Sequence, residues 1–300
     1  MKVKLVAPAR WVERELVARF AAFAATYGIE VEASPQCFER CGQLAGTDET
    51  RAAALVEALS QPGIDAVWCV RGGYGAGRLL ERVGSVPTAA AGRILIGYSD
   101  ITTLLLGIRN PGLRMVHGPM PIDLSTGGRE ANFPPLFEAL RLGGLPGAPE
   151  PSAGTVRTIV TGRARGPVFA ANLSLLTRLI GTPYCPDLRG AILVLEDVDE
   201  KLYAVDRMLV HLRHAGVLRG LAGLVMGGFT DMSDDATPFG EDVTAMTLRL
   251  AGDLGIPVVE GYPVGHGPEN AAVPQGVPAE LAATRDGARL DWSPRSAASD

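Results

Sequence analysis

The feature that most limits how this chain can fold is an alternation in its first third: short, wholly apolar runs are separated by stretches with helical spacing. Val3–Ala7 is the first apolar run and ends at Pro8. Val12–Tyr27 then carries apolar residues at Val12, Leu16, Val17, Phe20, Phe23, Ala24 and Tyr27, which is one helix face, and Gly28 is placed to stop it. Ile29–Val31 reads as a second strand, and Thr47 and Asp48 as N-cap candidates for a helix over Glu49–Ser60, with Pro62-Gly63 ending it. Ile64–Val70 and Arg93–Gly97 read as strands, the second followed by an apolar helix over Ile101–Ile108. Strands that are apolar throughout are buried on both faces, so the pattern predicts a mostly parallel α/β sheet with helices on either side.

The second half reads differently. From Gly143 to Gly154, seven of twelve residues are Gly or Pro, too many for a helix or a strand. We place a linker at 143–157, between an N-terminal domain over 1–142 and a C-terminal domain over 158–300. In the latter, Ala191–Leu195 and Leu221–Met226 read as strands, and Tyr203–His214 and Glu241–Leu254 as helices. Glu280–Thr284 and Ala288–Trp292 flank a turn containing Asp286-Gly287, as in a hairpin, so this half is mixed α+β.

Composition narrows the function classes. Hydrophobic residues make up 47% of the chain, ample for a packed core. The formal net charge of -5 lacks the cationic surplus of a phosphate-backbone binder, so no nucleic-acid partner is expected. No apolar stretch is long enough to span a membrane, and the N-terminus lacks the apolar segment of a signal peptide, so the expected location is cytoplasmic. Four cysteines do not make a disulfide scaffold: Cys37 and Cys41 have neither redox nor usual zinc spacing, and Cys69 sits in an apolar run as a small hydrophobe.

Four places can carry chemistry. Gly97-Tyr98-Ser99-Asp100-Ile101 puts a serine at a sharp strand-to-helix turn, where the next backbone N–H and the start of the helix can face a developing oxyanion; alternatively Ser99 caps the helix. Arg71–Gly77 is a glycine loop directly after a strand, readable as an oxyanion or carboxylate cradle, a tight turn or a nucleotide loop. The nucleotide reading needs a third glycine where Arg78 stands and a strand-end acid further on, and neither is present. Glu196, directly after an apolar strand, is either a site carboxylate or part of a solvated acidic loop through Glu200. Of the four histidines, His211 and His214 read as a solvated helix face. His266, in an irregular loop, or His117 would have to be the base if Ser99 is a nucleophile. Ser99, Glu196 and His266 fall in the order nucleophile, acid, base, with the last two beyond the linker, so such a site would straddle two domains.

Taken in order, these segments resemble the LD-carboxypeptidases, the muramoyltetrapeptide carboxypeptidases and their microcin C immunity relatives. The resemblance rests on Arg71-Gly-Gly-Tyr-Gly75, Ile96-Gly-Tyr-Ser-Asp-Ile-Thr102, His117-Gly-Pro119, Asn172-Leu-Ser-Leu-Leu176, Gly181-Thr-Pro183, Leu195-Glu-Asp197 with Asp206-Arg-Met-Leu209, and Gly265-His266. It spans roughly Val3 to Val277. It implies a flavodoxin-like N-terminal domain similar to class I glutamine amidotransferases, with a smaller C-terminal domain. It implies a Ser–His–Glu triad of Ser99, His266 and Glu196, with backbone N–H groups of Gly73 and Asp100 as oxyanion hole, and neither a metal nor a cofactor. The implied reaction is hydrolysis of the amide between an L-centre, meso-diaminopimelate, and a terminal D-Ala of a muropeptide, by a homodimer working in peptidoglycan recycling. Arg71 is our candidate clamp for the substrate's free carboxylate, with a purely structural role as the alternative. A microcin-type peptidase acting on peptidyl- or aminoacyl-nucleotides is the nearest rival. It would want an aromatic to stack the nucleobase, and none follows Glu196 until Tyr203. A catalytically idle binding module is countered by all three triad positions being filled.

Overall fold

The computed structural model describes residues 1–83, 90–151 and 155–292; residues 152–154 of the expected linker lie outside this range. Within the described residues the chain forms two compact units, one of Met1–Pro146 with Pro183–Cys185, the other of Gly147–Thr182 with residues 186–292.

The first unit contains β1 (Lys2–Val6), α1 (Arg14–Ala25), β2 (Glu30–Ala33), α2 (Asp48–Ser60), β3 (Ala66–Cys69), α3 (Leu80–Val83), β4 (Ile94–Gly97), α4 (Thr102–Gly107), β5 (Arg114–His117) and α5 (Pro134–Arg141). Its strands pair in parallel in the order β2-β1-β3-β4-β5. Every residue of β3 and β4 is buried, as their unbroken apolar sequences require. The apolar face read over Val12–Tyr27 belongs to α1, which buries Leu16, Val17, Phe20 and Ala24. Phe20 stands edge-on to Trp68 at 5.3 Å and to Phe133 at 5.6 Å, and Trp68 packs on Phe137 at 5.6 Å. This aromatic cluster joins α1, β3 and α5. Thr47 caps α2 by accepting a hydrogen bond from the Thr50 N–H at 3.2 Å.

The second unit contains β6 (Arg157–Val160), β7 (Gly162–Asn172), α6 (Leu173–Leu179), β8 (Ile192–Val198), α7 (Leu202–His214), α8 (Val217–Gly220), β9 (Gly223–Thr230), α9 (Val243–Ala251), β10 (Val258–Glu260), β11 (Val273–Pro274), β12 (Val277–Thr284) and β13 (Gly287–Trp292). Seven strands form a mixed sheet in the order β13-β12-β7-β8-β9-β10-β6. Its centre, β7-β8-β9-β10, is parallel, and both flanks are antiparallel. The predicted hairpin is β12–β13; Thr284 pairs with Gly287, so the two-residue turn is Arg285-Asp286. The core is filled by Val168, Ile192, Val194, Val225, Leu281 and Trp292 among others. Among the described residues no helix is long and apolar enough to cross a membrane.

Candidate active site

In the first unit, β1, β3 and β4 lie side by side and point the same way, so the loops that leave their C-terminal ends are neighbours, the usual place for a site in a parallel sheet. Those loops carry Arg10, then Arg71 with its glycines, then Ser99.

Ser99 has φ 60, one of three non-glycine residues with positive φ among those described. An L-residue held there is strained by about 1 kcal/mol or more, as expected of a nucleophile lifted from a sheet on a sharp turn. It opens a short 3₁₀ turn, Ser99–Ile101, that leads into α4, and no side-chain hydrogen bond caps that turn, so the helix-capping alternative does not hold. The turn is anchored from below. Tyr98 is buried and donates its hydroxyl to Asp123 Oδ1 at 2.7 Å, while Arg129 pairs with the same carboxylate at 3.0 Å. His117, the last residue of β5, is fully buried with its ring 5.7 Å from that of Tyr98. A β-carbon on Gly72 would lie 3.0 Å from Ser99 Oγ and 3.1 Å from the Asp100 nitrogen, so glycine is what keeps the space beside the hydroxyl open.

Asp100 joins the serine turn to the glycine loop. Its Oδ2 accepts the Ala76 N–H at 2.8 Å, and burial pushes its carboxyl above the usual range against the pull of that hydrogen bond. Arg51, fully buried, braces the loops from the other side: it donates to the carbonyls of Gly75, at 2.8 Å, and Pro8, and pairs with Asp48. Arg71 is half-buried, and burial lowers its guanidinium pKa, with the charge of Arg10 adding to the effect.

In the second unit, Glu196 is not beyond the strand end, as the sequence suggested, but within β8, opposite Asn172 of β7 and fully buried. Leu195 pairs with Met226 and Asp197 with Phe229, so Gly227 and Gly228 together face Glu196 in a β-bulge. His266 Nδ1 lies 2.6 Å from Glu196 Oε2. A carboxylate accepting from Nδ1 fixes the ring's orientation and tautomer and leaves Nε2 as the basic nitrogen. The approach depends on Gly265, at φ 119, where a β-carbon would lie 2.7 Å from that of Glu196. The Gly265 N–H is held by Asn270 Oδ1 at 3.0 Å.

Beside Glu196, the Asp197 carboxylate accepts from Asn172 Nδ2 at 2.9 Å, the Ser174 N–H at 3.0 Å and the Val198 N–H at 2.9 Å. Burial, then the charge of Glu196, raises its pKa from 3.8 to about 6. The native chain thus binds this proton more tightly than the unfolded chain, and stability from Asp197 falls as pH rises from 3.8 to about 6 and is level above. The melting temperature of the wild type minus that of Asp197→Asn is expected to decrease over this interval. A difference that rises with pH, or does not change, contradicts this.

The structure brings Ser99, Gly73, Asp100 and Arg71 to one edge of the first unit and joins Glu196 to His266 in the second; His211 and His214 are exposed on α7. The sequence gives no role to Gly72, Gly265, Arg51 or the Asp197 network. Gly72 and Gly265 adjoin residues already singled out, so adjacency was the available signal. For Arg51, a charge inside a helix pattern, none existed. Among the described residues no group of three or more His, Cys, Asp and Glu side chains is arranged to hold a metal ion.

Family models for the LD-carboxypeptidase N-terminal and C-terminal domains match residues 3–118 and 165–281. The chain belongs to the LD-carboxypeptidase family. The murein tetrapeptide carboxypeptidase of Pseudomonas aeruginosa is 32% identical to it, covering 97% of this chain and 95% of that protein. The crystal structure of a muramoyltetrapeptide carboxypeptidase from Oxalobacter formigenes superposes with a TM-score of 0.82 at 28% identity, over 98% of this chain and 99% of that one. The microcin C7 self-immunity protein MccF of Escherichia coli is 26% identical over 77% of this chain and 75% of its own length. This LD-carboxypeptidase family member is thus similar to proteins of two differently named kinds, one over nearly the whole chain and the other over about three quarters of it, and the site's chemistry has to choose between them.

Proposed function

We propose that this protein is a serine LD-carboxypeptidase that hydrolyses the amide between meso-diaminopimelate and the terminal D-Ala of muropeptides, in cytoplasmic peptidoglycan recycling and as a homodimer. The flavodoxin-like character of its first unit belongs to the same reading, supported by the strand order β2-β1-β3-β4-β5. The observation that carries the proposal is the 2.6 Å contact of His266 Nδ1 with the buried Glu196 carboxylate, the arrangement that prepares an imidazole to act as general base.

In this mechanism Ser99 Oγ attacks the carbonyl of the L-centre while His266 Nε2 takes its proton. The backbone N–H groups of Gly73 and Asp100 stabilise the oxyanion. His266 then protonates the departing D-Ala nitrogen, leaving an acyl-enzyme on Ser99. Water, deprotonated by His266, attacks the ester, and the proton returns to Ser99 as the peptide acid leaves. Glu196 holds the imidazole and balances the charge it gains. The muropeptide reading is favoured over a nucleotide-conjugate substrate by the chain after Glu196. Its first aromatic is Tyr203, and Arg207 covers that ring with its guanidinium carbon 5.5 Å from the centroid.

The test is mass-spectrometric product analysis with a murein tetrapeptide and an aminoacyl-adenylate analogue offered separately. Release of D-Ala from the tetrapeptide, with little turnover of the nucleotide, is expected. The reverse selectivity overturns the proposal in favour of a microcin-type peptidase.

A further inference from the structure

We infer that Arg10 and Arg71 act together as a two-guanidinium clamp for the free carboxylate of the substrate's terminal residue, making Arg10 a specificity-determining residue. The inference rests on the carboxypeptidase reading above and adds a residue that the motif reading did not single out.

Arg10 follows β1, Arg71 follows β3 and Ser99 follows β4, three neighbouring parallel strands, so the loops bearing the two cations and the nucleophile share one edge. Closer contacts fix the arrangement. The space a β-carbon would take on Gly72 is bounded by Ser99, with Oγ 3.0 Å away. On the next residue, Gly73, a β-carbon would fall 2.6 Å from Arg10 Cδ and 2.7 Å from Arg10 Nε. The Arg10 side chain therefore lies across Gly73, one residue from the surface that faces the nucleophile. The two guanidinium groups sense each other, since the charge of Arg10 disfavours that of Arg71.

Among the described residues neither guanidinium forms an ion pair with a carboxylate. The Nε atoms of both Arg10 and Arg71 are buried and have no hydrogen-bond acceptor among the described residues. Asp100 lies near enough for the charges of Arg10 and Arg51 to act on it, but its Oδ2 is held by the Ala76 N–H. Arg51 is a different case, bound to two carbonyls and to Asp48. Two like charges, partly desolvated and near each other, with buried Nε–H groups that lack acceptors among the described residues, are costly unless an anion completes them, and a planar carboxylate matches guanidinium forks bidentately. In an amino-acid leaving group the carboxylate is one carbon away from the scissile nitrogen, so its binding site has to adjoin the nucleophile, as this pair does. An interior peptide bond offers no charge there, which would make the enzyme an exopeptidase.

The experiment compares wild type with Arg10→Met and Arg10→Lys on two tetrapeptides, one ending in D-Ala and one in D-alaninamide. We expect the ratio of kcat/KM for acid over amide to fall by about 10²-fold in Arg10→Met, the scale of losing one partner of a buried charge pair, and to be partly restored in Arg10→Lys. An equal loss on both substrates, or no loss, overturns the clamp. A second readout separates it from the carboxypeptidase reading: fluorophosphonate labelling of Ser99, with free D-alanine as protectant. D-alanine should slow labelling of the wild type but not of Arg10→Met, and D-alaninamide should slow neither. Absence of turnover in the wild type with this protection pattern intact overturns the carboxypeptidase reading and leaves the clamp standing. Absence of differential protection overturns the clamp itself.

Discussion

Ser99→Ala is expected to lower kcat by on the order of 10⁴-fold or more while leaving the circular dichroism spectrum and melting profile close to wild type. The side chain lost is one oxygen on a half-exposed turn, so little packing goes with it. What goes is the only protein atom that forms a covalent bond to the acyl carbon in the proposed mechanism. The turn itself is held by Tyr98, Asp123 and Arg129, none of which needs the serine hydroxyl. His266→Ala should cost about as much, and Glu196→Gln less, because an orienting group loses its effect only in part when its charge is removed. Near-wild-type turnover by Ser99→Ala would refute a serine mechanism.

The largest expected effect on stability belongs to Arg51→Met, about 3 kcal/mol or more, read from the midpoint and slope of denaturant unfolding. Arg51 is fully buried and holds two backbone carbonyls and a carboxylate. Methionine fills much of the volume but supplies no donor, so the Pro8 and Gly75 carbonyls lose this partner in a dry environment. Asp48 is the least affected, since Arg78 also reaches it at 2.9 Å. Against a typical total of about 5–15 kcal/mol this is a large fraction. A loss below about 1 kcal/mol would mean that water or a shifted loop replaces the guanidinium.

How far the sequence can be read depends on whether the signal is local. The strands of the first unit are legible because each is an unbroken apolar run, and Thr47 is legible as a cap because capping is decided within four residues. By contrast β7 was invisible. Gly162, Gly166 and Pro167 argue against a strand, and only pairing with β8 and β12 on its two sides overrides them. The sequence marks Glu196 as a candidate but places it just beyond β8, because a buried carboxylate in a strand makes sense only once His266, seventy residues on, is seen to meet it. Gly72 and Gly265 could be recognised as glycines but not as necessary ones, since the atoms that exclude a β-carbon come from Ser99 and Glu196. Arg10 escaped because nothing around it in the chain marks it; its neighbour is Gly73, contributed by another loop.

The backbone at Ser99 has one more implication. At φ 60 glycine would rest without strain, and serine is held there only by its surroundings. The amino acid best suited to that bend is therefore one with no hydroxyl, and the one the proposed mechanism needs is the one the bend resists. On that reading, robustness and turnover are opposed at a single α-carbon.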